Sequence, residues 1–320
     1  MANFSTIHGF NVQVLSADPP APQEGQVWYN TTSGTMKGYG KQGTGAWASG
    51  GTANNSHNIA YAAGTQGATL IWGGGTSGVS SNSDKTESYN GSAWTELAVL
   101  GTARRNGGYA GTQTSALCVG GQVPAASTLN ESWNGSAWSV ESALTTLNGS
   151  GTRAAGSSDT AVLAFGDDSY SAASTLWNGT SWSVQPSMTT ARAYSAPIGT
   201  STSAICISGS PPPSSTIAEY WDGSTWTEGA DVNSPRSYAG ACGPSNESGL
   251  FFGGGPSLSA LTEQYDGTTW TEVADLATAR EGVQGGGTAV TAIAGGGYAP
   301  DQTVSEEWDN PSTTKTFTVS

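Results

Sequence analysis

The chain has 320 residues, 46 of them glycine and only 11% charged, and 10 basic against 24 acidic residues leave a net charge of −14. No stretch nears the roughly 18 consecutive apolar residues of a membrane-spanning helix, the scarcity of Leu, Glu and Lys argues against a helical bundle, and 12 Trp argue against disorder. The acidic balance repels nucleic-acid phosphates and anionic membranes, so neither nucleic-acid binding nor membrane insertion is expected; an all-β protein rich in turns remains.

In chain order, the first residues lack the basic and apolar regions of a secretory signal, which implies synthesis in a cytoplasm without export by that route. FNVQVL (10–15) reads as an inner strand. GQVWYNTTSGTMKGYGKQGTGAW (25–47) reads as a strand, a turn, a strand with Tyr39, a second turn and Trp47. A repeat then takes over. Trp94, Trp138, Trp182, Trp226 and Trp270 recur every 44 residues, each five residues after Tyr89, Trp133, Trp177, Trp221 or Tyr265. Upstream of each lies an apolar run that ends in glycine: TLIWGGG, ALCVGG, VLAFG, AICISG, GLFFGGG and, last, TAIAGGG. The final unit is irregular. Its third strand holds Trp308, and KTFTVS (315–320) stands where the Trp-bearing strand is expected.

Each unit has four predicted strands. A small-residue segment fits a crowded inner place, and the apolar run is buried on both faces. A third strand ends in Tyr or Trp. Asn-Gly or Asp-Gly then turns the chain into a fourth, because both positions accept positive φ. Four strands that cannot bury both faces alone must stack radially, which is the architecture of a β-propeller. Cys118, Cys206 and Cys242 sit in small or apolar surroundings and read as buried reduced thiols; no Cys/His cluster with metal-ligand spacing is present.

Gly-Gly after an apolar strand, then an aromatic, a turn and a Trp, resembles the kelch repeat over residues 52–320, which implies a kelch-type propeller of repeats about 44 residues long. Residues 1–51 are a degenerate first blade or a docking hairpin. The spacing from Val27 to Trp47 matches that from Val119 to Trp138 to within a residue, which favours seven four-stranded blades; six blades plus an N-terminal hairpin is the alternative.

Residues 22–47 also resemble a hairpin element of bacteriophage tail and fibre proteins, and the low-charge, Thr/Ser/Asn-Gly-rich units resemble virion proteins of marine phages. These resemblances imply a non-enzymatic structural or adhesion protein of a virion, tail or fibre associated. Its expected partners are other virion proteins and a host-surface glycan or receptor. The alternatives are a glycan-acting propeller enzyme and an intracellular kelch interaction module. No catalytic residue, cofactor or metal site is expected. A galactose-oxidase copper site needs two His and two Tyr, whereas only His8 and His57 exist; no GxSxG elbow occurs; the glycine runs lack the Lys-Ser/Thr of a phosphate loop. Asp167-Asp168 reads as a solvated turn rather than a calcium site.

One pattern stands out. Arg104, Arg192, Arg236 and Arg280 each follow a Trp anchor by ten residues, and Asn148 and His57 hold the same offset after Trp138 and Trp47. In a propeller such positions converge on one channel mouth. The six residues are expected to form a binding ring for a carboxylate-bearing ligand or acidic sugar. The competing expectation is structural: guanidinium groups bonded to carbonyls or to acids of the blades.

Overall fold

The computed structural model describes residues 12–41, 45–75, 81–210, 214–298 and 302–317. Its described secondary structure is all β, and its strands pair into seven four-stranded sheets. The chain divides into two compact units, one spanning Ala46–Asp309, the other made of the described residues up to Gly45 and from Asn310 onward. The division therefore falls at 45/46 and 309/310 rather than at 51/52.

The terminal unit holds one mixed sheet. β1 (Gln13–Leu15) runs parallel to β2 (Val27–Asn30), which pairs antiparallel with β3 (Thr35–Lys41). The last described strand, β28 (Ser312–Phe317), adds to the far side of β3. Buried Trp28 donates from Nε1 to Asp18 Oδ1 at 3.1 Å, and Asn30 and Lys37 reach the same carboxylate at 2.7 Å. Lys37 first, then Asn30 and Trp28, hold the Asp18 pKa down to about 2.

The other six sheets are antiparallel blades. After β4 (Ala46–Ser49), blade 1 contains β5 (Tyr61–Thr65), β6 (Ala68–Trp72), β7 (Thr86–Tyr89) and β8 (Trp94–Glu96). Blade 2 contains β9 (Gly108–Thr112), β10 (Ser115–Val123), β11 (Ala125–Trp133) and β12 (Trp138–Glu141). Blade 3 contains β13 (Arg153–Ser158), β14 (Ala161–Phe165), β15 (Ser174–Trp177) and β16 (Trp182–Gln185). Blade 4 contains β17 (Ala196–Thr200), β18 (Ser203–Ile207), β19 (Ala218–Trp221) and β20 (Trp226–Glu228). Blade 5 contains β21 (Gly240–Ser245), β22 (Ser248–Phe252), β23 (Thr262–Tyr265) and β24 (Trp270–Glu272). Blade 6 contains β25 (Gln284–Gly287), β26 (Thr291–Gly295), β27 (Ser305–Asp309) and, as its outer strand, β4.

The inner strands follow one another as β5, β9, β13, β17, β21 and β25, and β25 returns to β5, so the ring closes with six blades. Closure uses the two ends of this unit. KTFTVS was expected to complete the last blade; β4 does so instead, with Trp47 opposite Trp308 and their rings 5.5 Å apart.

Six buried clusters fill the six gaps between neighbouring blades. Tyr61, Leu70 and Trp72 of blade 1 meet Ala116, Cys118 and Trp133 of blade 2, and Ile293 of blade 6 meets Ile71, Tyr89 and Trp94 of blade 1. The aromatic anchors are this packing. In blade 3 Trp177 and Trp182 lie 5.3 Å apart and in blade 4 Trp221 and Trp226 lie 5.4 Å apart, tilted pairs that each add about 0.5–1.5 kcal/mol beyond the area they bury. Outer-strand Trp residues also bond across the gap, as Trp138 Nε1 does to Thr86 Oγ1 at 3.0 Å. The three cysteines are free and buried in these gaps, and burial pushes the Cys242 thiol up to about 12.

Candidate functional site

The glycines that end the second strands mark where blades touch. A Cβ on Gly166 would lie 2.6 Å from Arg192 O, a carbonyl in the link to the next blade. The following residue can then donate across the gap: Gly254 N to Arg280 O at 2.8 Å, Gly297 N to His57 O at 2.7 Å, Gly121 N to Gly149 O at 3.0 Å. Blade 4 has Ser208 in place of the first glycine, and its hydroxyl donates to Arg236 O at 2.6 Å.

These contacts fix what the six predicted ring positions do. Arg104, Arg192, Arg236 and Arg280 are fully or almost fully buried. Each sends Nη2 to a glutamate on the third strand of the blade it leads into: Arg104 to Glu131, Arg192 to Glu219 at 2.6 Å, Arg236 to Glu263 at 2.9 Å and Arg280 to Glu306 at 2.6 Å. Nη1 donates to the carbonyl at the end of the second strand, as in Arg236 to Gly253 O at 3.0 Å. The glutamates accept backbone N–H groups of the same links as well, Glu306 from Ala277 and Thr278. His57 repeats the pattern, with Nε2 3.1 Å from Glu87 Oε1 and Nδ1 3.1 Å from Gly73 O.

The expected ligand-facing ring is therefore corrected: the four guanidinium groups and the His57 ring turn into the blades, each onto a glutamate. Asn148 is corrected too. The residue whose carbonyl takes the bond from the preceding blade is Gly149, so blade 3 lacks a side chain at the lock, and Asn148 donates instead to Asp168 Oδ1 and Ser169 Oγ at 2.6 and 2.7 Å.

Two residues past each lock position the chain turns left-handed. Ile59, Asn106, Gly151, Tyr194, Tyr238 and Gly282 have φ from 50° to 69°. Their backbones bond head to tail around the channel. Asn106 donates to Ile59, Gly151 to Asn106, Tyr194 to Gly151, Tyr238 to Tyr194, Gly282 to Tyr238, and Ile59 to Gly282, at 2.7 to 3.5 Å. Positive φ strains a β-branched residue such as Ile59 most, and six cooperative bonds offset that strain.

Around this mouth lie groups the sequence pattern did not single out. Tyr194 and Tyr238 stack with ring centroids 4.4 Å apart. Asn58 Oδ1 and Asn106 Oδ1 are buried acceptors without a hydrogen-bond partner. Glu281 is half-buried, and its desolvation raises its pKa. Below the ring the channel narrows to a lumen of about 90 Å³ bordered by Ala63, Gly64, Gly111, Gly199, Gly243 and Gly286. At its other end the inner hairpins border a wider cavity of about 340 Å³, with Thr65, Thr112, Gln113, Thr114, Thr200 and Pro244 in its wall. No cluster of three His, Cys, Asp or Glu suited to a metal occurs among the described residues.

No family model and no curated protein matches this chain. Among solved structures it is similar to YjhT, at 15% sequence identity and a TM-score of 0.61, the match covering 82% of this chain and 99% of that one. A likeness at this identity is one of fold, and the fold is a β-propeller.

Proposed function

We propose that the chain is a non-enzymatic recognition module of a bacteriophage virion, tail or fibre associated, whose channel mouth engages a host-surface glycan. The observation that carries this reading is the mouth itself. The half-exposed, stacked Tyr194 and Tyr238 offer an aromatic face of the kind that stacks on a sugar ring. The tail or fibre assignment rests on the resemblance of residues 22–47 and of the repeat composition. Mass spectrometry of purified particles tests the virion assignment. Binding to a glycan array, lost when Tyr194 and Tyr238 are both changed to Ala, tests the mouth; an array without hits, alongside capture of a purified virion protein, would favour a partner-protein surface.

One observation favours a second reading. Desolvation raises the pKa of Glu281 beside the same mouth, as a general acid requires. Turnover of a glycan that disappears in Glu281→Gln would establish the glycan-acting enzyme instead.

A further inference from the structure

The lock pattern leaves over two guanidinium groups, Arg105 and Arg153, and only Arg153 is buried. It stands at the start of inner strand β13, is 7% exposed, and carries a charge that arginine does not shed in proteins. Nε donates to Ser195 O of blade 4 at 2.8 Å, and Nη1 to Gly107 O of blade 2 at 3.3 Å and Thr152 O of its own blade at 2.9 Å. A group on blade 3 reaches both flanking blades only from the channel side. The guanidinium therefore lies on the channel side of blade 3, next to Ala154 of the lumen wall.

Burial disfavours its charged form. Among the described residues no carboxylate pairs with it, whereas Arg104, Arg192, Arg236 and Arg280 each have one. Nη2 makes no hydrogen bond to the described residues. A buried charge without a counter-charge is costly. Beneath it, each inner strand ends its sheet and leaves one backbone edge unpaired toward the lumen. That edge supplies further N–H donors, and small residues let an ion approach them. A lumen of about 90 Å³ has room for one halide-sized ion with water, given roughly 30 Å³ per water.

We propose that the channel binds a small monovalent anion, of the halide class, on Nη2 of Arg153. The site is independent of the glycan reading and stands if that reading fails. Thermal melting in sodium chloride and in sodium gluconate at equal ionic strength tests it, because gluconate is too large for the lumen. Chloride is expected to raise the wild-type Tm by about 2–4 °C over gluconate, and Arg153→Gln to abolish the difference. Equal melting in both salts, or an undiminished difference in the variant, overturns the proposal. Should Arg153→Gln fail to fold, crystals of the wild type grown and soaked in bromide decide: an anomalous peak beside Nη2 supports the site, and a channel without one refutes it.

Discussion

Blade 3 and blade 4 are neighbours built on the same repeat, yet they hold their incoming links differently. Blade 4 locks with Arg192 and Glu219, whose carboxylate also takes the N–H groups of Thr189 and Thr190. Blade 3 has Gly149 and Thr175 at the corresponding places. Its link is held by the Asn148 side chain on Asp168 and by the Asn148 backbone on Asp167 Oδ2. Its guanidinium, Arg153, has moved four residues onward into the channel. The difference teaches that the ion pair is not needed to shape a blade; the backbone bonds between blades do that. The pair holds one link in place, and the blade without it is the one whose cation faces the channel.

Removing half of a lock should show the largest contrast. Glu219→Ala leaves Arg192 charged and buried without a partner, at a cost of about 3–5 kcal/mol. Thr175→Ala, at the equivalent place in blade 3, loses only the 3.0 Å bond to Ser183 O, about 1 kcal/mol. Urea unfolding of the two variants measures the ratio directly. A middle-sized effect is expected at Asn148→Ala, which removes two side-chain bonds but leaves the backbone bond to Asp167; about 1–2 kcal/mol should be lost.

A smaller, pH-dependent effect belongs to blade 1. Burial alone would raise the Glu87 pKa, but bonds from His57, Asn54 and Asn55 outweigh it and hold the value at about 2, below the ordinary 4.5. A depressed acid contributes its stability in full above the unfolded value and loses it as pH falls through the folded one. Wild-type stability should therefore decline from about pH 4.5 towards 2, and Glu87→Gln should flatten that part of the profile. An unchanged slope in the variant would assign the acid sensitivity to other carboxylates.

Much of this was legible in the sequence. The Trp interval and the glycine-ended runs give the four-stranded unit, and the buried thiols follow from their neighbours. Closure was not legible, because the strand that completes blade 6 precedes blade 1, and local spacing ties Trp47 to Val27 as readily as to Trp308. The locks carry a second signal in the sequence. Two residues before each third-strand aromatic stands Glu87, Glu131, Glu219, Glu263 or Glu306, and Thr175 stands there only in the blade without a lock cation. Counting ten residues from Trp138 gave Asn148, whereas the backbone bond from Gly121 picks out Gly149, one residue on. The roles of Tyr194, Tyr238 and Arg153 are not legible in the repeat, because each matters through its place around the channel.

The central claim is that the repeated arginines lock blades rather than face a ligand, and a double-mutant cycle on Arg236 and Glu263 tests it most directly. Arg236→Met and Glu263→Leu should each cost about 3–5 kcal/mol in urea unfolding, and the double variant far less than their sum, because an apolar pair replaces a buried ion pair without stranding a charge. Two nearly neutral, additive substitutions that change only attachment to a glycan or partner would contradict the claim.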